Sequence, residues 1–126
     1  EQLKSNDDNC VEFRHHSFNH KKYSNLTEIE IIEDFNKCNE LIKNNDLKVF
    51  KALAYPYGNF PKKSPFREEF RKTLKNNEIK FGLRIGNRPS RFPFPDPYEI
   101  KRIDIKGEDS LFMFKIKLNI GKPRLF

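Results

Sequence analysis

Val49-Phe50-Lys51-Ala52-Leu53-Ala54-Tyr55-Pro56-Tyr57-Gly58 is the stretch whose reading decides the fold. Val49 to Tyr55 is largely apolar and reads as a strand buried on both faces, the pattern of a parallel sheet. Tyr55-Pro56-Tyr57-Gly58 closes it. Parallel strands need helical crossovers, and a helix is written on either side. Upstream, Thr27 is an N-cap, Glu30 completes a capping box, and Leu26 with Ile31 forms a hydrophobic staple. The apolar face Ile31, Phe35, Cys38 and Ile42 is spaced four, three and four, and Asn44-Asn45 ends the helix. Downstream, Ser64 reads as a capping serine and Pro65 as the first helical residue; Phe66, Phe70 and Leu74 form the buried stripe up to Asn76-Asn77.

Outward from this centre the same alternation continues. Asn6-Asp7-Asp8-Asn9 is a turn cluster, and Cys10 to Arg14 reads as a short strand in which Val11 and Phe13 alternate with polar residues. Ile79 to Ile85 is a third strand, running into Gly86-Asn87-Arg88-Pro89. Arg91 to Pro97 is a loop with three prolines. Glu99 to Ile105 is a fourth strand, with a bulge expected where the apolar phase slips between Ile100 and Ile103. Asp109 or Ser110 caps a last segment to Leu118. Leu111, Phe114 and Leu118 fit a helix there, while Phe112, Phe114, Ile116 and Leu118 fit a strand; the helix is preferred. The order predicts an α/β fold with a parallel sheet and right-handed crossovers, its core shared by Phe35, Cys38, Ile42, Phe50 and Leu53.

A chain of 126 residues suits one domain. Its hydrophobic content of 36% and charged fraction of 34% fit a soluble globular protein, and no apolar run reaches membrane-spanning length. It begins at Glu1 with no signal-like core, so a fragment or processed product is expected, cytoplasmic or peripheral to a membrane. Cys10 and Cys38 are too few for a disulfide framework and read as buried thiols. The net charge of +7 is spread along the chain and mixed with acids; only Lys115, Lys117, Lys122 and Arg124 in the tail stand without relief. Arg84, Arg88 and Arg91 read as solvated. Without an RNP-like aromatic strand pair, a GXXG loop or zinc-knuckle spacing, a basic nucleic-acid-binding α/β domain is the least favoured class.

His16-Ser17-Phe18-Asn19-His20 places two of the three histidines four residues apart, at the C-terminal end of the first strand. In a helical turn or tight loop both imidazoles can reach one zinc at roughly 2.0 to 2.1 Å, with a third ligand and an open position still to be supplied. Functional residues of such sheets gather at the C-terminal strand ends. The histidines and Tyr55 to Gly58 are therefore expected on one rim, although Tyr55, Tyr57 and Phe60 also suit aromatics covering a core. His15 gains no role from adjacency.

At these residues the chain resembles the NodB-type polysaccharide deacetylases. His16 to Thr27 resembles their metal-binding motif H-[ST]-x-x-[HD], Lys51 to Gly58 is similar to the third motif in the branch ending in YPYG, and Asp96 to Ile103 is similar to the lead into a late strand. The likeness runs from about Val11 to Leu118. It implies a partial, distorted (β/α) barrel of mostly parallel strands with helices outside, in which this single domain forms the C-terminal two-thirds of the catalytic domain. The implied activity is metal-dependent hydrolysis of N- or O-acetyl groups on a polysaccharide such as a cell-wall glycan. His16 and His20 would hold a divalent metal: zinc, with cobalt or nickel as alternatives. Tyr57 would offer its backbone N–H to the oxyanion, and Tyr55, Pro56, Tyr57 and Gly58 would line the substrate groove.

The chain departs from that family in four places. The strand bearing the paired aspartates is missing, which removes the base and third ligand. Asp7-Asp8 is rejected as a substitute, because a strand of ~3.3 Å per residue sets it ~20 Å or more away, at the opposite end of the sheet. Ala54 stands where many members carry an arginine, and neither a later histidine nor a tryptophan is present. The chain alone is accordingly expected to be inactive and to self-associate through an open sheet edge. A non-catalytic carbohydrate-binding relic of the same fold is the alternative.

Overall fold

The computed structural model describes residues 12–123. Its strands are β1 (Phe13–His15), β2 (Val49–Ala54), β3 (Phe81–Ile85) and β4 (Ile100–Arg102). Helix α1 (Glu28–Asn44) joins β1 to β2, α2 (Phe66–Asn76) joins β2 to β3, and α3 (Leu111–Ile120) follows β4. All three pairings are parallel and the spatial order is β1-β2-β3-β4. A sheet that advances one strand per crossover in one direction is an arc of a (β/α) barrel, whereas a doubly wound sheet reverses at a switch point.

Local chemistry accounts for the helix limits. The Thr27 hydroxyl accepts from Glu30 N and the Glu30 carboxylate accepts from Thr27 N, both arms of the capping box. Asn45 caps the other end. Helix α3 starts at Ser110, whose Oγ accepts from Met113 N, so the helical pattern prevails over the strand-like one. Ser64 is not the cap of α2. Pro65 takes that place with backbone angles already helical, and no side-chain hydrogen bond caps this end.

Ile31 and Phe35 of α1, Phe70 and Leu74 of α2, and Leu53 at the end of β2 share one buried cluster with Tyr23, Tyr55, Phe60 and Ile79. Both crossover helices therefore cover the same face of the sheet. Tyr55 lies across Gly82, where any Cβ would collide with the phenol, and donates from its hydroxyl to Tyr98 O at 2.8 Å. Burial raises the Tyr55 pKa, with the nearby carboxylates of Asp96 and Glu99 adding to it against the lowering effect of Arg71.

The opposite face of β2 is covered only in part, which narrows the expectation that β2 is buried on both sides: Ala52 on that face is 2% exposed. Leu53 is wholly buried, but Phe50, on the opposite face by strand alternation, is 41% exposed. Phe50 stacks on Phe81 at 6.1 Å under the Arg14 guanidinium, outside the core it was expected to join. Cys38 and Ile42 are only half-buried; desolvation, helped by Asp34, still pushes the Cys38 thiol up to about 11. β4 pairs with β3 without a bulge, and the register shift falls instead between Arg14 and His15. Leu111, Phe114 and Leu118 of α3 are exposed. The buried member of α3 is Lys117, whose ammonium donates to the Asp109 carboxylate and to Asp104 O, so that tail cation is relieved after all. Asp7, Asp8, Cys10, Val11 and Arg124 lie outside the described residues.

Candidate active site

The chain leaves β1 through a tight loop rather than a helical turn. Ser17 and His20 both take left-handed backbone angles (φ 76° and 53°), and His20 N donates to Ser17 Oγ at 2.8 Å. The loop is tied to α1 by Asp34, which is 2% exposed. One of its carboxylate oxygens accepts from Asn19 N at 2.9 Å, and the other accepts from Phe18 N at 3.1 Å and from the Tyr23 hydroxyl. Burial and that negative charge both raise the Tyr23 pKa. No spacing motif marks Asp34, yet the sequence carries a signal for it. It sits in the stripe Ile31-Asp34-Phe35-Cys38, and an acid on a buried helix face must find donors.

His16 and His20 converge: their Nε2 atoms are 3.0 Å apart. His16 Nδ1 lies 2.6 Å from Ala54 O. A carbonyl oxygen only accepts, so this contact fixes the proton on Nδ1 and leaves the Nε2 lone pair of the neutral ring facing His20. Two nitrogens bound to one tetrahedral zinc at ~2.05 Å stand ~3.3 Å apart, close to the separation found. A carbonyl orienting a histidine through its second nitrogen is also the usual support for a metal ligand. The pair therefore fits a divalent ion as two of its ligands. Among the described residues there is no group of three or more His, Cys, Asp or Glu side chains able to hold one.

Tyr57 completes this rim. Its ring meets His20 edge-on at 4.8 Å between centroids, and Lys22 Nζ lies 5.6 Å from the ring centre. Tyr57 has φ 56° and is 60% exposed. Among the described residues its backbone N–H is paired with no acceptor. Gly58 follows at φ 63°, and a Cβ there would lie 2.5 Å from Ile85 N. Tyr55 and Pro56 do not belong to this surface. Both are buried, so their side chains line no groove, and Tyr55 with Phe60 is a core aromatic. The Arg102 guanidinium, also unforeseen, reaches across from β4 to Tyr55 O at 2.9 Å.

His15 points the other way. It is 4% exposed, pairs across to Leu53 and lies 6.2 Å from the Phe35 ring. Burial first, and the positive charge of Lys51 second, lower its pKa.

A sheet arc whose strand ends carry a paired-histidine loop and an exposed tyrosine turn marks this C-terminal rim as the candidate site. The family follows from comparison: the family model described as "Polysaccharide deacetylase" matches residues 1–84, and the chain belongs to that family. The match holds both the histidine loop and the Tyr55–Gly58 turn and stops short of Asp96 to Ile103. The fold is thus a partial NodB-type barrel. No curated protein and no solved structure is significantly similar to the chain. No helix among the described residues is long and apolar enough to cross a membrane.

Proposed function

We propose that the chain carries part of the active site of a metal-dependent deacetylase that removes N- or O-acetyl groups from a glycan. The observation that carries this reading is the facing Nε2 pair of His16 and His20, with the His16 tautomer set by Ala54 O. In it the two histidines hold zinc, or cobalt or nickel in its place. When bound, such an ion supplies Lewis acidity toward the acetyl carbonyl and a lowered pKa for water. The Tyr57 N–H donates to the oxyanion that develops on that carbonyl, a contact typically worth about 3 to 4 kcal/mol. The exposed Tyr57 ring and Gly58 border the sugar, while Tyr55 and Pro56 serve by fixing the turn from beneath. No further acid stands beside the pair among the described residues, so this chain by itself is expected to bind metal weakly and to turn over little substrate. Self-association through the outer edge of β1 belongs to the same reading.

The test has two arms. Calorimetry with Zn²⁺ should show binding that His16→Ala and His20→Ala each abolish. Acetate release from acetylated chitooligosaccharides and xylan should stay far below about 1 per second, the low end of ordinary turnover. Turnover at or above that rate that survives both alanine substitutions would overturn the site. Sugar binding without any metal binding would favour the carbohydrate-binding relic instead.

A further inference from the structure

The crossover from β3 to β4 contains no helix. In its place the loop 86–99 and the end of α3 border a cavity of about 640 Å³, lined among others by Arg84, Arg88, Ser90, Arg91, Phe94 and Lys101. The cavity also meets Asp96 and Glu99, but these carboxylates are engaged from behind by α2. Arg67 holds Glu99 at 2.7 Å, and Arg71 pairs with Asp96. Around two acids there are then six cations, Arg67 and Arg71 of α2 with the four that line the cavity.

Arg84 is the informative one. Its side chain is 28% exposed, its Nε lies 3.7 Å from a Glu99 oxygen, and that buried Nε–H has no hydrogen-bond partner. Among the described residues Arg88, Arg91 and Lys101 have no carboxylate within 4.0 Å. Solvated cations scattered on a surface lower their repulsion by spreading apart. Here they are gathered around one concavity with a partly desolvated member, an arrangement that favours an incoming anion. Guanidinium groups present paired N–H donors that match a carboxylate or a phosphate.

We propose that this cavity is a binding site for an oxyanion group, a carboxylate or phosphate carried on a small soluble ligand. Arg84 forms its floor, and Arg88, Arg91 and Lys101 form its walls. The proposal is independent of the metal reading of His16 and His20, which concerns a different set of residues.

The experiment is ¹H–¹⁵N NMR of the arginine Nε–H signals of the 126-residue chain. It is titrated separately with inorganic phosphate, with oligogalacturonate, and with a neutral oligosaccharide of the same length. The expected result is a saturable shift of the Arg84 signal by phosphate, by galacturonate or by both, and none by the neutral sugar. Whichever anion binds more tightly identifies the source of the group. Binding should weaken about tenfold in R88Q/R91Q, whose two exposed positions leave the packing intact. It should also weaken as salt is raised and be unchanged in H16A/H20A. The Arg84→Gln variant, read by calorimetry, provides a second loss. No saturable shift with either anion, or an affinity indifferent to R88Q/R91Q, overturns the proposal.

Discussion

Replacing Asp34 by Asn tests whether the histidine loop is positioned from helix α1. The carboxylate accepts two backbone N–H bonds, from Phe18 and Asn19, and a longer one from the Tyr23 hydroxyl. Bonds to a charged acceptor contribute roughly 1.5 to 3 kcal/mol each. An amide keeps one acceptor oxygen and turns an NH₂ toward the second donor, so one of the two backbone bonds is lost and its N–H must find water. Phe18 and Asn19 lie at the surface, which eases that search and holds the loss to about 2 to 3 kcal/mol. Urea denaturation followed by circular dichroism should show the midpoint falling accordingly. The second readout separates positioning from bulk stability. In Asp34→Asn the Zn²⁺ affinity of the still-folded protein should drop roughly 10- to 100-fold, as when the support of a metal ligand is removed. A loss under about 1 kcal/mol with unchanged metal affinity would refute the idea that Asp34 sets the loop.

Other predictions follow from burial. The His15 pKa is lowered in the folded chain, so its stabilising effect is fully present above the unfolded value of about 6.5 and is lost as pH falls below it, at no more than ~1.4 kcal/mol per pH unit. His15→Phe should flatten that part of the melting-temperature profile, and an unchanged slope would count against it. Phe35→Ala should cost about 3 to 5 kcal/mol and Phe50→Ala about 1 kcal/mol, measured side by side in urea, because only the first empties a closed core. Gly58→Ala should destabilise by about 1 to 3 kcal/mol, since it combines a left-handed backbone with a Cβ against Ile85 N; a neutral result would mean that the turn can relax.

The elements themselves were legible because each is written locally. The Thr27–Glu30 box, the paired asparagines after α1 and α2, and the apolar run before Tyr55 all act within a few residues. Strand alternation, however, says that Phe50 and Leu53 face opposite ways without saying which face receives the helices, and it is Leu53's face that does. Ser64 carried the right side chain for a cap, but the backbone at Pro65 was already helical. Of the site, the spacing of His16 and His20 and the position of Tyr57 could be read directly. The anchoring by Asp34 and the Arg102 contact to Tyr55 O join residues far apart in sequence, and no local pattern encodes them. Arg84, Arg88 and Arg91 looked like ordinary surface charge because their common cavity exists only once the β3–β4 loop has wrapped back.

The spatial order of the strands repeats their order along the chain, and this bears on how the protein is made. Every pairing joins a strand to its immediate successor, so no contact among the described strands waits for a distant segment to arrive. Loop closure is then settled one βα unit at a time, and each closed unit offers a parallel edge to the next strand as it leaves the ribosome. The same arrangement leaves each newly docked strand with an exposed edge until its successor arrives, and pairing between molecules competes with folding at that edge.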